Sequence, residues 1–114
     1  WIGKNCLLVT PQYGSAIRIS SLLTDAPLEC AQPMEKSRCG GCSLCVQHCP
    51  AGALKGTLWS AGMEREKIVD VNRCYQKQKE IMYASTGIDT DLCGKCFAVC
   101  AYTQNYLKKT IEVK

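Results

Sequence analysis

Residues 39–50 read "CGGCSLCVQHCP", four cysteines separated by two, two and three residues and closed by a proline. No packing of apolar side chains asks for such a run, so the chain must fold around whatever these thiols serve. Disulfides fit poorly. A bridge needs Cα atoms about 4.4–6.8 Å apart with the side chains aimed at each other, and pairing any two thiols of a C-x2-C-x2-C loop strands the third. Seven of the ten cysteines also fall in two tight groups, whereas a disulfide framework scatters them. Zinc is the stronger rival, because two C-x2-C pairs are its usual tetrahedral frame. Yet this run offers four thiols by itself, with an odd three-residue step before the proline.

The spacing C-x2-C-x2-C-x3-C-P is the bacterial ferredoxin signature, in which three cysteines bind one [4Fe–4S] cluster and the fourth reaches another. Short two-residue steps aim three sulfurs at three corners of a cube. Gly40 and Gly41 let backbone amides approach it. The three-residue step begins a helical turn that points Cys49 elsewhere, and Pro50 restrains the exit. An echo lies 51 positions downstream, where Cys93, Cys96 and Cys100 repeat the spacing of Cys42, Cys45 and Cys49. Thr90 stands where the echo should match Cys39, so the second half is one thiol short and Cys74 is the replacement. The crossover then gives one set of Cys39, Cys42, Cys45 and Cys100, and a second of Cys49, Cys74, Cys93 and Cys96. Cys6 and Cys30 remain as buried free thiols that pack as small hydrophobes. With the ligand count complete, His48 is expected at the surface or behind the ligands. Arg38, Lys55 and Lys95 are expected as solvated cations and the tyrosines as packing groups. Nothing resembles a hydrolytic triad or a phosphate-cradling loop, and no catalytic residue is assigned.

The 114 residues are one domain's worth, 46% hydrophobic but with a single Phe and two Trp. Clusters bound to the cysteines are therefore expected to do part of the core's work. The formal net charge of +4 points less to nucleic acid than to charge balance, because a cubane with four thiolates carries about −2. No apolar run approaches the roughly eighteen residues of a membrane span. No signal-peptide pattern is present, and a cytoplasmic location is expected. The chain opens at Trp1 inside an apolar run and reads as part of a longer protein.

The expected fold class is α+β: a small N-terminal β-hairpin, then a ferredoxin-like two-cluster module of short helices and loops. "NCLLVT" (5–10) and "AIRIS" (16–20) read as strands around the turn "PQYGS". Residues 24–38, with two prolines and no periodicity, read as a loop. The division is 1–38 for hairpin and loop and 39–114 for the cluster module. Asp70 can cap a helix over 71–83, with Gly87 ending that stretch. Short helical turns are expected after Cys45, Cys96 and Thr103.

A more specific likeness lies around the cysteines. "WIGKNCLLVTPQYGS" followed by "LLTDAPLE", with "CGGCSLCVQHCPAGAL" and "CGKCFAVCAYTQ", resembles the iron–sulfur region of the epoxyqueuosine reductase and reductive dehalogenase superfamily. The resemblance implies an upstream cobalamin-binding domain, with Trp1–Asn5 as its tail. It also implies that the cluster of Cys49, Cys74, Cys93 and Cys96 lies near the corrin and feeds it electrons. Ala101 replaces the family's proline after the last cysteine, which makes this stretch more similar to anaerobe members of undefined substrate. The function so implied is electron transfer through two [4Fe–4S] clusters, as the ferredoxin module of a larger cobalamin-dependent reductase. The partner is that upstream domain or a redox protein, with no membrane and no nucleic acid, and this chain alone is not catalytic. A stand-alone ferredoxin-like carrier and a structural zinc-binding interaction module are the alternatives.

Overall fold

The computed structural model describes residues 1–112. The last two positions of the expected 39–114 module lie outside the described residues. Four α-helices are found among those described: α1 (Leu44–Gln47), α2 (Val71–Thr86), α3 (Lys95–Ala98) and α4 (Ala101–Glu112), with one 3-10 turn at Arg65–Lys67.

The echo in the sequence is an echo in space. α1 and α3 stand at equivalent positions of the repeat and pack against each other. Their backbone bonds match one for one. The amide of Gln47 donates to the carbonyl of Ser43 at 3.0 Å, as Ala98 does to Gly94 at 3.0 Å. His48 donates to Leu44 at 3.0 Å and Val99 to Lys95 at 3.1 Å. Cys49 donates to Val46 at 3.4 Å and Cys100 to Phe97 at 3.3 Å. Each motif thus closes one helical turn and throws its last cysteine beyond it.

α2 starts where the sequence implied. The Asp70 carboxylate accepts from the Arg73 amide at 3.0 Å, satisfying one of the free donors of the first turn. It runs three residues past the expected end, because no breaker intervenes before Gly87, which adopts φ 73. An antiparallel bridge between Leu54 and Val69 holds the loop after Pro50 against the start of this helix. Ala53, Leu54 and Val69 form a small core, and Cys6, Cys45, Cys49, Cys74 and Cys96 pack around it. The centre of this aromatic-poor chain is walled by thiols.

α4 carries the N-terminal segment. Trp1 meets Tyr102 edge-on at 5.2 Å, and Tyr13 meets Tyr106 at 5.2 Å; the two tyrosines are one helical turn apart and share a face. Between them Thr103 is fully buried. Its hydroxyl accepts from the Ser15 amide at 3.0 Å. Gly14, at φ 60, lies so close that a Cβ there would strike the Thr103 backbone. These pairs are the packing expected of the tyrosines, but Tyr13 keeps an exposed flank and Tyr75 and Tyr83 are exposed.

The expected α+β class with an N-terminal β-hairpin is corrected. The described residues contain no β-strand; Ile2–Leu8 and Thr10–Gly14 are isolated bridges. Cys6 takes φ 60, a left-handed conformation that breaks the extended run at 5–10. The chain turns there instead, with the Gly3 amide on the Leu7 carbonyl and the Cys6 amide on the Gly3 carbonyl, both at 2.9 Å. Residues 16–20 pair with no strand, since a lone two-stranded ribbon buries too little to hold in water; the Ala16 amide instead closes a turn on the Tyr13 carbonyl at 3.1 Å. From there to residue 35 the segment carries no helix or strand, with Ile19, Leu22, Leu23 and Leu28 all exposed. Cys30 lies on this segment and is exposed rather than buried, while Cys6 is half-buried.

Candidate metal centre

Two cavities share out the eight motif cysteines. The first, about 240 Å³, is lined by Cys39, Cys42, Cys45 and Cys100 together with Lys4, Asn5 and Tyr102. The second, about 280 Å³, is lined by Cys49, Cys74, Cys93 and Cys96 together with Arg65, Lys77 and Gln78. The partition is the crossed one. Cys100, which follows α3, faces the cavity of the first motif, and Cys49, which follows α1, faces that of the second. α2 delivers Cys74 from its first turn, where the Cys74 amide bonds back to the Asp70 carbonyl at 3.1 Å. Among the described residues no three Cys, His, Asp or Glu side chains converge as a single ion requires. The thiols stand around each cavity, whose volume would admit a group of several atoms.

Their electrostatics agree with that grouping. Burial pushes the Cys45 thiol up to about 11, and the neighbouring Cys39, Cys42 and Cys100 add to the effect. Burial likewise pushes Cys96 up to about 11, helped by Cys74, Cys45, Cys49 and Cys93. Cys45 of the first cavity and Cys49, Cys74 and Cys96 of the second pack against the same small core, so the two cavities adjoin. Cys74 is raised by burial and by Cys49 and Cys93, against a bond from Gln78, whose Nε2 donates to its Sγ at 3.2 Å. Four thiolates cannot crowd such a space unless a cation takes up their charge, which is the chemistry of a metal site.

Cys39 is the exception. Burial opposes ionisation there, but the Ser37 hydroxyl, the Lys4 amide, the Trp1 indole and the Lys4 ammonium together hold the thiol below its ordinary value. Lys4 is 8% exposed. Its Nζ donates to the carbonyls of Gly40 at 2.8 Å and Cys42 at 2.9 Å. Neither ion pair among the described residues involves it. A buried ammonium without a carboxylate is costly unless an anion faces it. A cluster held by four thiolates is such an anion, so these residues fit the group.

A family model described as a 4Fe-4S double cluster binding domain matches residues 38–103, more than half of the chain. This chain belongs to that family. The double-cluster domain is also similar to curated epoxyqueuosine reductases. It is 43% identical to the Bacillus cereus protein over 54 residues, covering 47% of this chain and 14% of that one. With the Listeria monocytogenes protein it shares 45% over 56 residues, 49% of this chain and 14% of the relative. The Synechococcus sp. (strain RCC307) protein aligns along 98% of the chain at 29% identity, covering 34% of the relative. The double-cluster domain therefore spans only a seventh to a third of the length of these relatives. The likeness to the iron–sulfur region of that family holds. No solved structure matches the domain significantly.

His48 is exposed and lines neither cavity, its Nδ1 lying 2.9 Å from the Leu44 carbonyl. Arg38 and Lys95 are exposed, and Lys55 donates to the Glu66 carbonyl at 2.7 Å. The described helices include none long and apolar enough to cross a membrane. Sequence reasoning missed Lys4, Arg65, Lys77 and Gln78 in the cavity walls, and Trp1 behind the first of them. Lys4 left a signal, a lone cation inside the apolar run "WIGKNCLLV". Gln78 left a fainter one, four residues after Cys74 and hence on the same helical face.

Proposed function

We propose that the domain transfers electrons through two [4Fe–4S] clusters, one held by Cys39, Cys42, Cys45 and Cys100 and the other by Cys49, Cys74, Cys93 and Cys96. The observation that carries this is the crossed partition of the eight cysteines between two adjoining cavities. Each cluster, when bound, stores and passes one electron. The chain's own contribution is to hold the ligands, shield them and set the local charge. The Ala53 amide, 3.4 Å from the Cys49 sulfur, and the Gln78 amide on Cys74 are donors of this kind.

The domain serves as the electron-transfer module of a larger cobalamin-dependent reductase. Support comes from the similarity to epoxyqueuosine reductases several times its length. The exposed apolar side chains of 16–35, which want a surface to cover them, fit the same reading. Protein purified without oxygen should carry about eight irons and eight sulfides per chain, given two cubanes. Zinc in place of iron would overturn the cluster reading. Failure of the longer polypeptide to bind a corrinoid, with its iron intact, would reduce the domain to a carrier on its own.

A further inference from the structure

Trp1 and Lys4 were expected at the tail of a neighbouring domain, yet Lys4 lines the first cavity and Trp1 packs directly behind its wall, on Tyr102. Trp1 is 7% exposed. Its ring is fixed edge-on against Tyr102, itself a lining residue of that cavity. Its indole Nε1 is the one buried side-chain nitrogen or oxygen among the described residues that completes no hydrogen bond of good geometry, although it lies near enough to Cys39 to help hold that thiol down. Indole has a donor and no acceptor, and leaving such a group unpaired in the interior costs about 1–3 kcal/mol. Lys4 has three donors. Two are fixed on the carbonyls of Gly40 and Cys42, the backbone that carries the first motif. The side chain itself lines the cavity.

We propose that Trp1 and Lys4 bracket the first cluster, the indole N–H donating to the Cys39 sulfur and the ammonium lying against the Gly40–Cys42 loop, and that together they raise its reduction potential. The inference rests on the two-cluster reading above. One-electron reduction adds one negative charge to a group that already carries about two. A donor aimed at a ligand sulfur and a fixed cation in a low-dielectric wall both favour the more negative state. The second cavity has cations too, but Arg65 stands exposed at its rim and Lys77 pairs with Glu80. Trp1 and Lys4 are positioning residues: they act through the ligands and the loop.

The test is a potentiometric titration followed by EPR on anaerobic protein, with the two signals assigned from Cys74→Ala protein, which should keep only the first cluster. Lys4→Met should move the first cluster to more negative potential and leave the second in place. Lys4→Arg, which keeps the charge, should restore most of the shift. Trp1→Phe keeps the ring and removes the N–H. It should give a smaller shift in the same direction and abolish one exchangeable-proton coupling in the ENDOR spectrum of the reduced first cluster. Full iron with potentials and couplings unchanged in Lys4→Met and Trp1→Phe would overturn the proposal. So would equal shifts at both clusters. If Lys4→Met loses the first cluster altogether, Trp1→Phe decides by the same two readouts. Absence of iron from the unaltered protein would instead sink the two-cluster reading.

Discussion

The first cavity, around Cys39, Cys42, Cys45 and Cys100, is covered by the N-terminal segment, with Lys4 and Tyr102 in its wall. The second, around Cys49, Cys74, Cys93 and Cys96, is covered mainly by α2, with Lys77 and Gln78 in its wall and Leu7 of the N-terminal segment at its side. The helical turn beneath is the same in both, although it opens at Ser43 with φ −132 in the first motif and at Gly94 with φ 71 in the second. What differs is where the fourth thiol originates. In the first half it is local, Cys39, and the space above the loop is left for a distant segment to fill. In the second half it comes on a sixteen-residue helix, which brings its own wall. Copying a ligand spacing does not copy its surroundings, because these come from chain outside the repeat.

The largest effects should come from exchanging the two crossing ligands. Cys100→Ala alters the second motif but should empty the first site, and Cys49→Ala the reverse, each leaving about four irons per chain or a three-iron remnant. Cys74→Ala should behave like Cys49→Ala and spare the EPR signal of the first cluster. Iron analysis with EPR on reduced protein decides. If Cys100→Ala damages the second site instead, the crossed partition is wrong.

Gly14→Ala should come next. Its Cβ meets the Thr103 backbone at a position that also demands positive φ, for a combined cost of about 2–4 kcal/mol. The damage should centre on the first site, read as earlier loss of its EPR signal in a denaturant series. Simultaneous loss of both signals would show that the two regions unfold as one.

Gln78→Leu is subtler. Removing the donor to the Cys74 sulfur should shift only the second cluster to more negative potential, by less than Lys4→Met shifts the first. A shift of the first cluster would contradict the separation of their walls.

The smallest effect is expected from replacing both Cys6 and Cys30 with alanine. Neither lines a cavity. Iron content should be unchanged, with stability lowered by no more than about 1 kcal/mol. Loss of one whole cluster would return a spare thiol to the ligand set.

The grouping of the cysteines was legible because thiol spacing is a local quantity. Two- and three-residue steps fix which sulfurs share a loop, and the missing counterpart of Cys39 pointed to Cys74. α2 was legible for the same kind of reason, since its Asp70 cap and terminal Gly87 are local signals. The N-terminus was not. Its alternating apolar residues satisfy a strand pattern, but pattern says nothing about whether a partner exists or whether one residue, Cys6, turns left-handed. The placement of Trp1 and Lys4 depends on contacts with residues 39–42 and 102, which no window of sequence contains.

The clasp between Gly14 and Thr103 also has a consequence in time. The bond from the Ser15 amide to the Thr103 hydroxyl spans 88 positions. During synthesis the turn at Gly14 and Ser15 leaves the ribosome well before its partner, which appears only 88 positions later. The delay is kinetic, since doubling such a loop adds only about 0.6 kcal/mol of closure entropy. A chain interrupted before α4 would expose Cys39, Cys42 and Cys45 with neither Cys100 nor the lid that α4 pins down. The clasp therefore works as a check on length, and only a chain translated through Thr103 can enclose its first cavity.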